Sequence, residues 1–191
     1  MNEPIAFRTY ASQSARFNPT IVEALCATIT TPPLFSPTKI SSHSIQQTFV
    51  GSGLGANNPT RELLKEASSI FGADRRVAQI ISLGSGTPRS ISLNASQGAK
   101  GVNRMLEEMM ADCEIVAHEL STRLTRLHPY LRLSVDRGME DLIMTDWSKV
   151  GNIESYTRAY VDNPHIIKAL EESLVCLKTR FGISTLGEIS M

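Results

Sequence analysis

Gly51, Gly53 and Gly55 alternate with Ser52 and Leu54 and run into Ala56, so residues 51–56 formally match the G-x-G-x-x-A pattern of a phosphate-cradling turn. Chemistry of that kind would seat a dinucleotide on the start of the next helix, with Asp74, about 20 residues on, holding the ribose. Two spacings weigh against it. Asn58-Pro59 starts the helix late, leaving the third small residue in the loop, and Asp74 precedes the following strand instead of ending it. Serine hydrolysis is the other chemistry to weigh at these glycines. Ser52 and Ser85 each sit between two glycines, which is turn composition and not the G-x-S-x-G elbow of an exposed nucleophile, and neither has an identifiable base.

The remaining polar residues are scattered. His43, His118, His128 and His165 fall in a loop, on a helix, beside a proline and at a helix start, without the i, i+4 spacing that would suggest a metal. Glu107-Glu108 and Glu171-Glu172 lie on the polar sides of amphipathic segments, where solvation accounts for them. Arg8, Arg75, Arg76 and Arg132 form no basic stripe, and Lys+Arg and Asp+Glu balance at 19 each, so nucleic acid is not indicated as a partner. Cys26, Cys113 and Cys176 are odd in number and contain no Cys-x-x-Cys pair; they read as buried, reduced thiols. No metal and no cofactor is implied.

The elements that must position these residues follow from periodicity. The chain has 191 residues, 41% of them hydrophobic and 20% charged, enough for one globular domain with a core. No basic segment followed by an apolar run opens it, and no run of about 18 apolar residues occurs, so neither a signal peptide nor a transmembrane segment is expected and the predicted location is cytoplasmic. Ile5–Tyr10 alternates as a short strand, and Asn18–Thr28 has apolar residues at helical spacing with Asn18 or Thr20 near the cap. Residues 34–47 lack a period and read as a surface loop before a strand at Gln47–Val50.

Pro59–Phe71 places Leu63, Leu64, Ala67, Ile70 and Phe71 on one face, with Gly72 as the stop. Val77–Leu83 is a β-branched run typical of a buried parallel strand, so strand, glycine turn, helix and strand make a βαβ unit. Val102 to Leu127 marks a long amphipathic helix ending before Pro129, and Leu131–Val135 a half-exposed strand broken at Gly138. Trp147 and Val150 belong to a short helical piece, and Asn163-Pro164 opens a last helix carrying Ile166 to Leu177 and reaching toward Phe181.

Taken in order, Phe7-Arg-Thr-Tyr10, Glu23–Thr28, Pro33–Pro37, Phe49–Pro59 and Ile81-Ser-Leu-Gly-Ser-Gly86 resemble the second half of a patatin-like phospholipase domain of the fungal type. Tyr130–Val135, Trp147 and Thr157-Arg-Ala-Tyr160 resemble the helical extension that follows in those proteins. The resemblance covers nearly the whole chain, and Leu54-Gly-Ala-Asn-Asn-Pro59 is its most specific part.

That resemblance implies an α/β fold: an incomplete three-layer patatin-like (FabD/lysophospholipase-like) sheet with flanking helices, then a mainly helical tail. The patatin-like half would span 1–90 and the extension 91–191, packed on it as one globular unit. Its family activity is hydrolysis of lipid acyl esters by a Ser-Asp dyad, with neither a metal nor a histidine base. The family's nucleophile motif lies upstream of the Phe-Arg-Thr-Tyr strand at which this chain begins, and the dyad aspartate position corresponds to Gly51.

Gly51, Ser52, Gly53, Asn57 and Asn58 are therefore expected to form a vestigial active-site loop with no catalytic residue, because neither a hydrogen nor a hydroxyl serves as a base near neutral pH. The expectation is a truncated, catalytically incomplete lipid acyl hydrolase homologue, a pseudoenzyme of lipid metabolism. The alternative is a non-catalytic module binding lipid, phospholipid, or an intact protein partner that covers an exposed sheet edge.

Overall fold

In the computed structural model, residues 4–11, 16–32, 34–42, 45–53, 55–87, 98–124, 130–140, 142, 145–180 and 182–190 are described. The chain is mixed α/β. In order come α1 (Ile21–Ile29), β1 (Thr38–Ser42), β2 (Ile45–Phe49), α2 (Thr60–Phe71), β3 (Arg76–Val77), β4 (Ile80–Leu83), α3 (Gly98–Ala111) and α4 (Glu114–Leu124). They are followed by β5 (Tyr130–Leu133), a 3-10 turn (Trp147–Lys149), α5 (Val150–Val161), α6 (Pro164–Thr179), β6 (Ser184–Thr185) and α7 (Leu186–Ser190). Two compact units result, one of Met1–Asn57 with Gln97–Ala111 and one of Asn58–Ser96 with Asp112–Met191.

In the first unit, α1 starts on a capping box. The Thr20 hydroxyl accepts from Glu23 N at 3.2 Å, and the Glu23 carboxylate accepts from Thr20 N at 2.8 Å, so two donors that an open helix start would orphan are satisfied reciprocally. Those two bonds hold the Glu23 carboxyl below the usual carboxylate range, the backbone bond contributing most. Strands β1 and β2 pair antiparallel with Ile40 opposite Gln47 and Thr38 opposite Phe49. Their buried face delivers Ile40 and Phe49 to Ala27, and the Phe49 ring meets Phe7 and Phe17 at centroid distances of 5.3 Å each. Aromatic pairs in such tilted and edge-on arrangements contribute about 0.5–1.5 kcal/mol beyond the area they bury.

In the second unit, Leu64, Ile80, Leu120, Leu124, Leu186 and Ile189 form one buried cluster, with Ala67, Val77, Val116 and Tyr130 against it. Burying one such side chain is worth about 1.5–3 kcal/mol. Strand β4 runs parallel to β5, Ile80 opposite Tyr130 and Ser82 opposite Arg132. The chain end closes the unit, because β6 pairs antiparallel with β3 and α7 packs on α2, with Leu186 N donating to Arg75 O and Gly187 N to Ala73 O at 2.8 Å. A second capping box starts α7, its Glu188 carboxylate accepting from Thr185 N at 2.8 Å.

Several sequence expectations change. Residues 4–8 form no strand; Phe7 is instead drawn into the Phe49 cluster, where ring packing and not ladder bonding fixes it. The loop expected over 34–47 contains the β1–β2 hairpin, whose single buried apolar residue on β1, Ile40, lies between Lys39 and Ser41 and left too weak a pattern to read. The βαβ unit does not form, since β2 pairs antiparallel with β1 while β4 pairs with β5. Strand β4 is buried on one face only, with Ile81 43% and Leu83 75% exposed.

The long helix is two helices. Asp112 accepts from Glu114 N at 2.8 Å, and this side-chain cap restarts the chain as α4. On α2 only Leu64 and Ala67 reach the core, while Leu63, Ile70 and Phe71 stay exposed. The short piece near Trp147 continues into the full-length α5. By contrast α6 begins as read, Asn163 capping and Pro164 in its first turn. Phe181 and Leu127 lie outside the described residues.

Candidate functional site

The turn after β2 is anchored from both sides within the first unit. Thr30 is buried, its hydroxyl donates to Cys26 O at 2.7 Å, and its carbonyl accepts from Gly51 N at 2.6 Å. A Cβ on Gly51 would lie 2.6 Å from the carbonyl oxygens of both Thr28 and Thr30, a separation no side chain tolerates. Glycine is therefore required by the close approach of α1's last turn to β2's exit. Further along, Gly55 N donates to Met110 O at 2.8 Å and the Asn57 amide to Ala111 O at 2.6 Å, satisfying carbonyls that the end of α3 leaves without helical partners. Ser52 is exposed, and its carbonyl accepts from Ala56 N at 2.9 Å.

Beside this turn, wholly inside the first unit, lies a half-open cleft of about 660 Å³. Ala24, Leu25, Phe49 and Val50 line it together with Ile5, Gly51 and Ser52. Its size falls in the usual range for small-molecule pockets, about 300–1,000 Å³, and an apolar lining with a few polar edges is the common composition of such sites. Leu25 and Val50 remain 58% and 51% exposed, so the cleft presents apolar surface to solvent.

Asn58 belongs to the second unit and is buried. Pro59 takes the cap position of α2 without a side-chain bond, so the helix starts at Thr60, one place later than the Asn58-Pro59 start read from the sequence. The Asn58 side chain accepts from the Thr60 hydroxyl at 2.7 Å and donates to Cys113 O at 3.2 Å. The expected loop is thus shared out: Gly51 and Ser52 line the cleft, Gly53 and Asn57 belong to the same unit with Asn57 bonded to the end of α3, and Asn58 joins a different set of polar groups. The dinucleotide fingerprint also comes apart, because its strand is half of an antiparallel hairpin and Asp74 is exposed beyond α2.

Ser85 is exposed, as are His118 and His165 on separate helices, while His43 and His128 lie outside the described residues. Among the described residues no three His, Cys, Asp or Glu side chains stand close enough to share a metal ion. Glu108 pairs with Arg104 at 2.9 Å and Glu172 with Lys168 at 3.9 Å along their own helices, exposed arrangements of small energetic weight. Arg8 donates to Ala6 O at 3.0 Å, Arg76 to Gly182 O at 3.2 Å, and Arg75 stands 5.9 Å over the Phe71 ring. The thiols differ from expectation too: Cys113 alone is buried, Cys176 is half-buried and Cys26 exposed on the outer side of α1.

Pattern reading missed a polar cluster in the second unit. Ser82 on β4 and Arg132 on β5 are register partners, and Arg132 Nη1 donates to Ser82 Oγ at 3.0 Å. Arg132 Nη2 reaches Cys113 Sγ and Glu114 Oε1, each at 3.3 Å, and Thr60 Oγ1 lies 3.4 Å from Ser82 Oγ. Burial, and then the Glu114 carboxylate beside it, pushes the Cys113 thiol up from its ordinary value, so it stays protonated near neutral pH. Alternation was the available signal: Arg132 with Ser134 and Ser82 with Gly84 put polar or small residues on the inward face of two strands that are otherwise apolar.

Comparison with protein-family models, with curated proteins and with solved structures returns no match.

Proposed function

We propose that this chain is a catalytically incomplete homologue of the patatin-like lipid acyl hydrolases, an intracellular protein that holds lipid acyl chains without cleaving them. The observation that carries the reading is the cleft beside Gly51: apolar lining runs up to a turn whose first residue has no space for any side chain, let alone a carboxylate. An acyl group lying there would meet Leu25, Phe49 and Val50 but no acid to activate a nucleophile. Losing the dyad removes rate factors of several powers of ten, and a serine hydroxyl such as that of Ser52 does not replace them.

Two measurements on the purified chain test this. Hydrolysis of a short-chain p-nitrophenyl ester and of a phospholipid is expected to match the buffer rate; turnover lost on a single Ser→Ala change overturns the catalytic half of the reading. A fluorescent fatty acid is expected to bind, and Leu25→Gln in the cleft to weaken it. Absence of any fatty-acid or liposome binding overturns the lipid half.

A second reading has its own support. Parallel sheets are ordinarily covered on both faces, yet β4 turns Ile81 and Leu83 outward. A protein partner packing there, such as an intact patatin-like chain, would bury that face. Light scattering showing only monomer, with no shift on adding an active patatin-like enzyme, would sink this second reading and leave the first untouched.

A further inference from the structure

The cleft beside Gly51 is not electrically neutral. Among the described residues that line it one is charged, Arg8, and none is acidic; Gln47, Thr48 and Ser52 supply uncharged polar edges, and Ile21, Leu25 and Val50 belong to its apolar part. The neighbours of the arginine put it there. Residues 4–8 make no ladder, so the anchor of this segment is the Phe7 ring, which packs on Phe49 at a centroid distance of 5.3 Å with the planes tilted by 58°. Arg8 follows directly on that anchor and is half-buried. Its Nη1 donates to Ala6 O at 3.0 Å, which turns the guanidinium back along its own segment. A guanidinium restrained in this way loses less freedom on meeting a ligand than one on an unrestrained stem, and its planar fork matches the two oxygens of a carboxylate.

A purely apolar cleft would take an acyl chain as acid, ester or alcohol alike, because burial of apolar surface is not directional. One cation in the wall changes that. An ionised carboxylate drawn out of water costs free energy unless a charge and hydrogen-bond donors meet it, and an arginine supplies both. Resting on the reading that this cleft holds acyl chains, we infer that its ligand is a long-chain carboxylate, a fatty acid in its anionic form, with the chain on Ile21, Leu25 and Val50 and the head group held by Arg8.

Other head groups fit this lining less well. A phosphate monoester carries close to two negative charges, and the described lining offers one cation. A quaternary ammonium asks for an acid or an open aromatic face; the described lining has no acidic residue, and its rings, Phe7 and Phe49, pack on each other. An alcohol or an ester gains nothing from the charge. Arg8 is therefore the residue that sets head-group specificity, and it takes no part in any bond-breaking step.

The test is calorimetric titration of the purified chain with four amphiphiles of matched chain, decanoate, decanol, decyl phosphate and decyltrimethylammonium, below their micelle-forming concentrations and at a pH well above the carboxylate range. Wild type, Arg8→Gln and Arg8→Lys are compared. Decanoate is expected to bind the wild type about tenfold or more tightly than decanol, and ahead of the other two. Arg8→Gln should bring the ratio of decanoate to decanol affinity close to one, and Arg8→Lys should keep part of it. The ratio is what is read, so a substitution that merely loosens the segment and weakens every amphiphile alike does not imitate the effect. A ratio near one in the wild type, a ratio that survives in Arg8→Gln, or decyl phosphate or decyltrimethylammonium matching decanoate overturns the inference and leaves the acyl-chain reading standing. Binding of none of the four overturns that reading, and the inference with it.

Discussion

The two units of this chain bury their residues in opposite ways. In the second, six aliphatic side chains from α2, β4, α4 and α7 meet in one cluster, two of them, Leu120 and Ile189, with no exposure at all. The first gathers only Ala27, Ile40 and Phe49 behind the rings of Phe7 and Phe17, and leaves Ile21, Val22, Leu25 and Ile29 of α1 more than half exposed. Polar groups show the reverse contrast. In the second unit Ser82, Thr60 and Asn58 are withdrawn from water with Arg132 beside them; in the first, the polar residues of the glycine turn, Ser52 and Asn57, stay at the surface. The second unit encloses the larger aliphatic core and holds one guanidinium, that of Arg132, largely out of water, while both units keep apolar surface exposed, the first on α1 and the second on β4.

Core truncation gives the largest test of that contrast. Leu120→Ala and Phe49→Ala should each cost several kcal/mol, about 2–5 and about 3–5 respectively, measured by denaturant unfolding. Their distribution should differ: amide exchange is expected to speed up across β1 and β2 in Phe49→Ala while β4 and β5 keep their protection. Equal loss of protection in both units would mean that the two cores unfold as one, and the comparison would fail.

Glycine replacements come next. Gly51→Ala pushes a methyl group onto two backbone carbonyls and is expected to cost about 1–3 kcal/mol, whereas Gly53→Ala, with nothing within 4 Å of its Cβ position, should change stability by less than about 0.5 kcal/mol. Similar values for the two would show that the Thr30–Gly51 contact does not hold the cleft's floor. Thr20→Ala, which removes the α1 cap, should cost about 1 kcal/mol.

The smallest effect is one of pH, and it reaches both units. Glu23 and Glu188 each accept a backbone and a hydroxyl hydrogen bond at a helix start, from Thr20 and Thr185, which lowers their folded-state values beneath the ordinary 4.5. The unfolded chain then binds more protons in that range. Their contribution is complete above the unfolded value and is lost as pH falls through the folded ones. Glu23→Gln and Glu188→Gln should flatten the acid limb of a stability–pH curve, each for its own unit; an unchanged limb in either would remove that box from the account.

Local chemistry was readable where a single residue type settles the backbone. Asn163-Pro164 opens α6, Gly72 ends α2 with a φ of 80°, and Thr20, one of the two residues read near the start of α1, caps it, because a cap, a missing donor or a left-handed turn depends on neighbours a few residues away. Of the hairpin at 38–49 only the strand at Gln47–Val50 was read, which is the second half of β2; β1 was not, since serine and lysine carry little strand preference and only pairing with β2 makes them a strand. Similarly Asp112 breaks one long apolar period into two helices by a side-chain bond that competes with the helical one. Phe7 looked like part of a strand because alternation does not say whether a residue finds a ladder or an aromatic cluster.

The candidate site divides along the same line. By itself the sequence determined that residues 51–59 form a glycine-rich turn into a helix, and that position 51 carries no acid, because both are properties of residue type and near neighbours. Only the tertiary structure decided why Gly51 must be glycine, since the carbonyls that exclude a Cβ come from Thr28 and Thr30, more than 20 residues earlier. It also decided that Ser82 faces Arg132 across fifty positions, with Cys113 and Glu114 closing round them. Register and packing bring such residues together, and neither is written in the spacing of one segment, because the energy that sets them is gained only when separate elements have met.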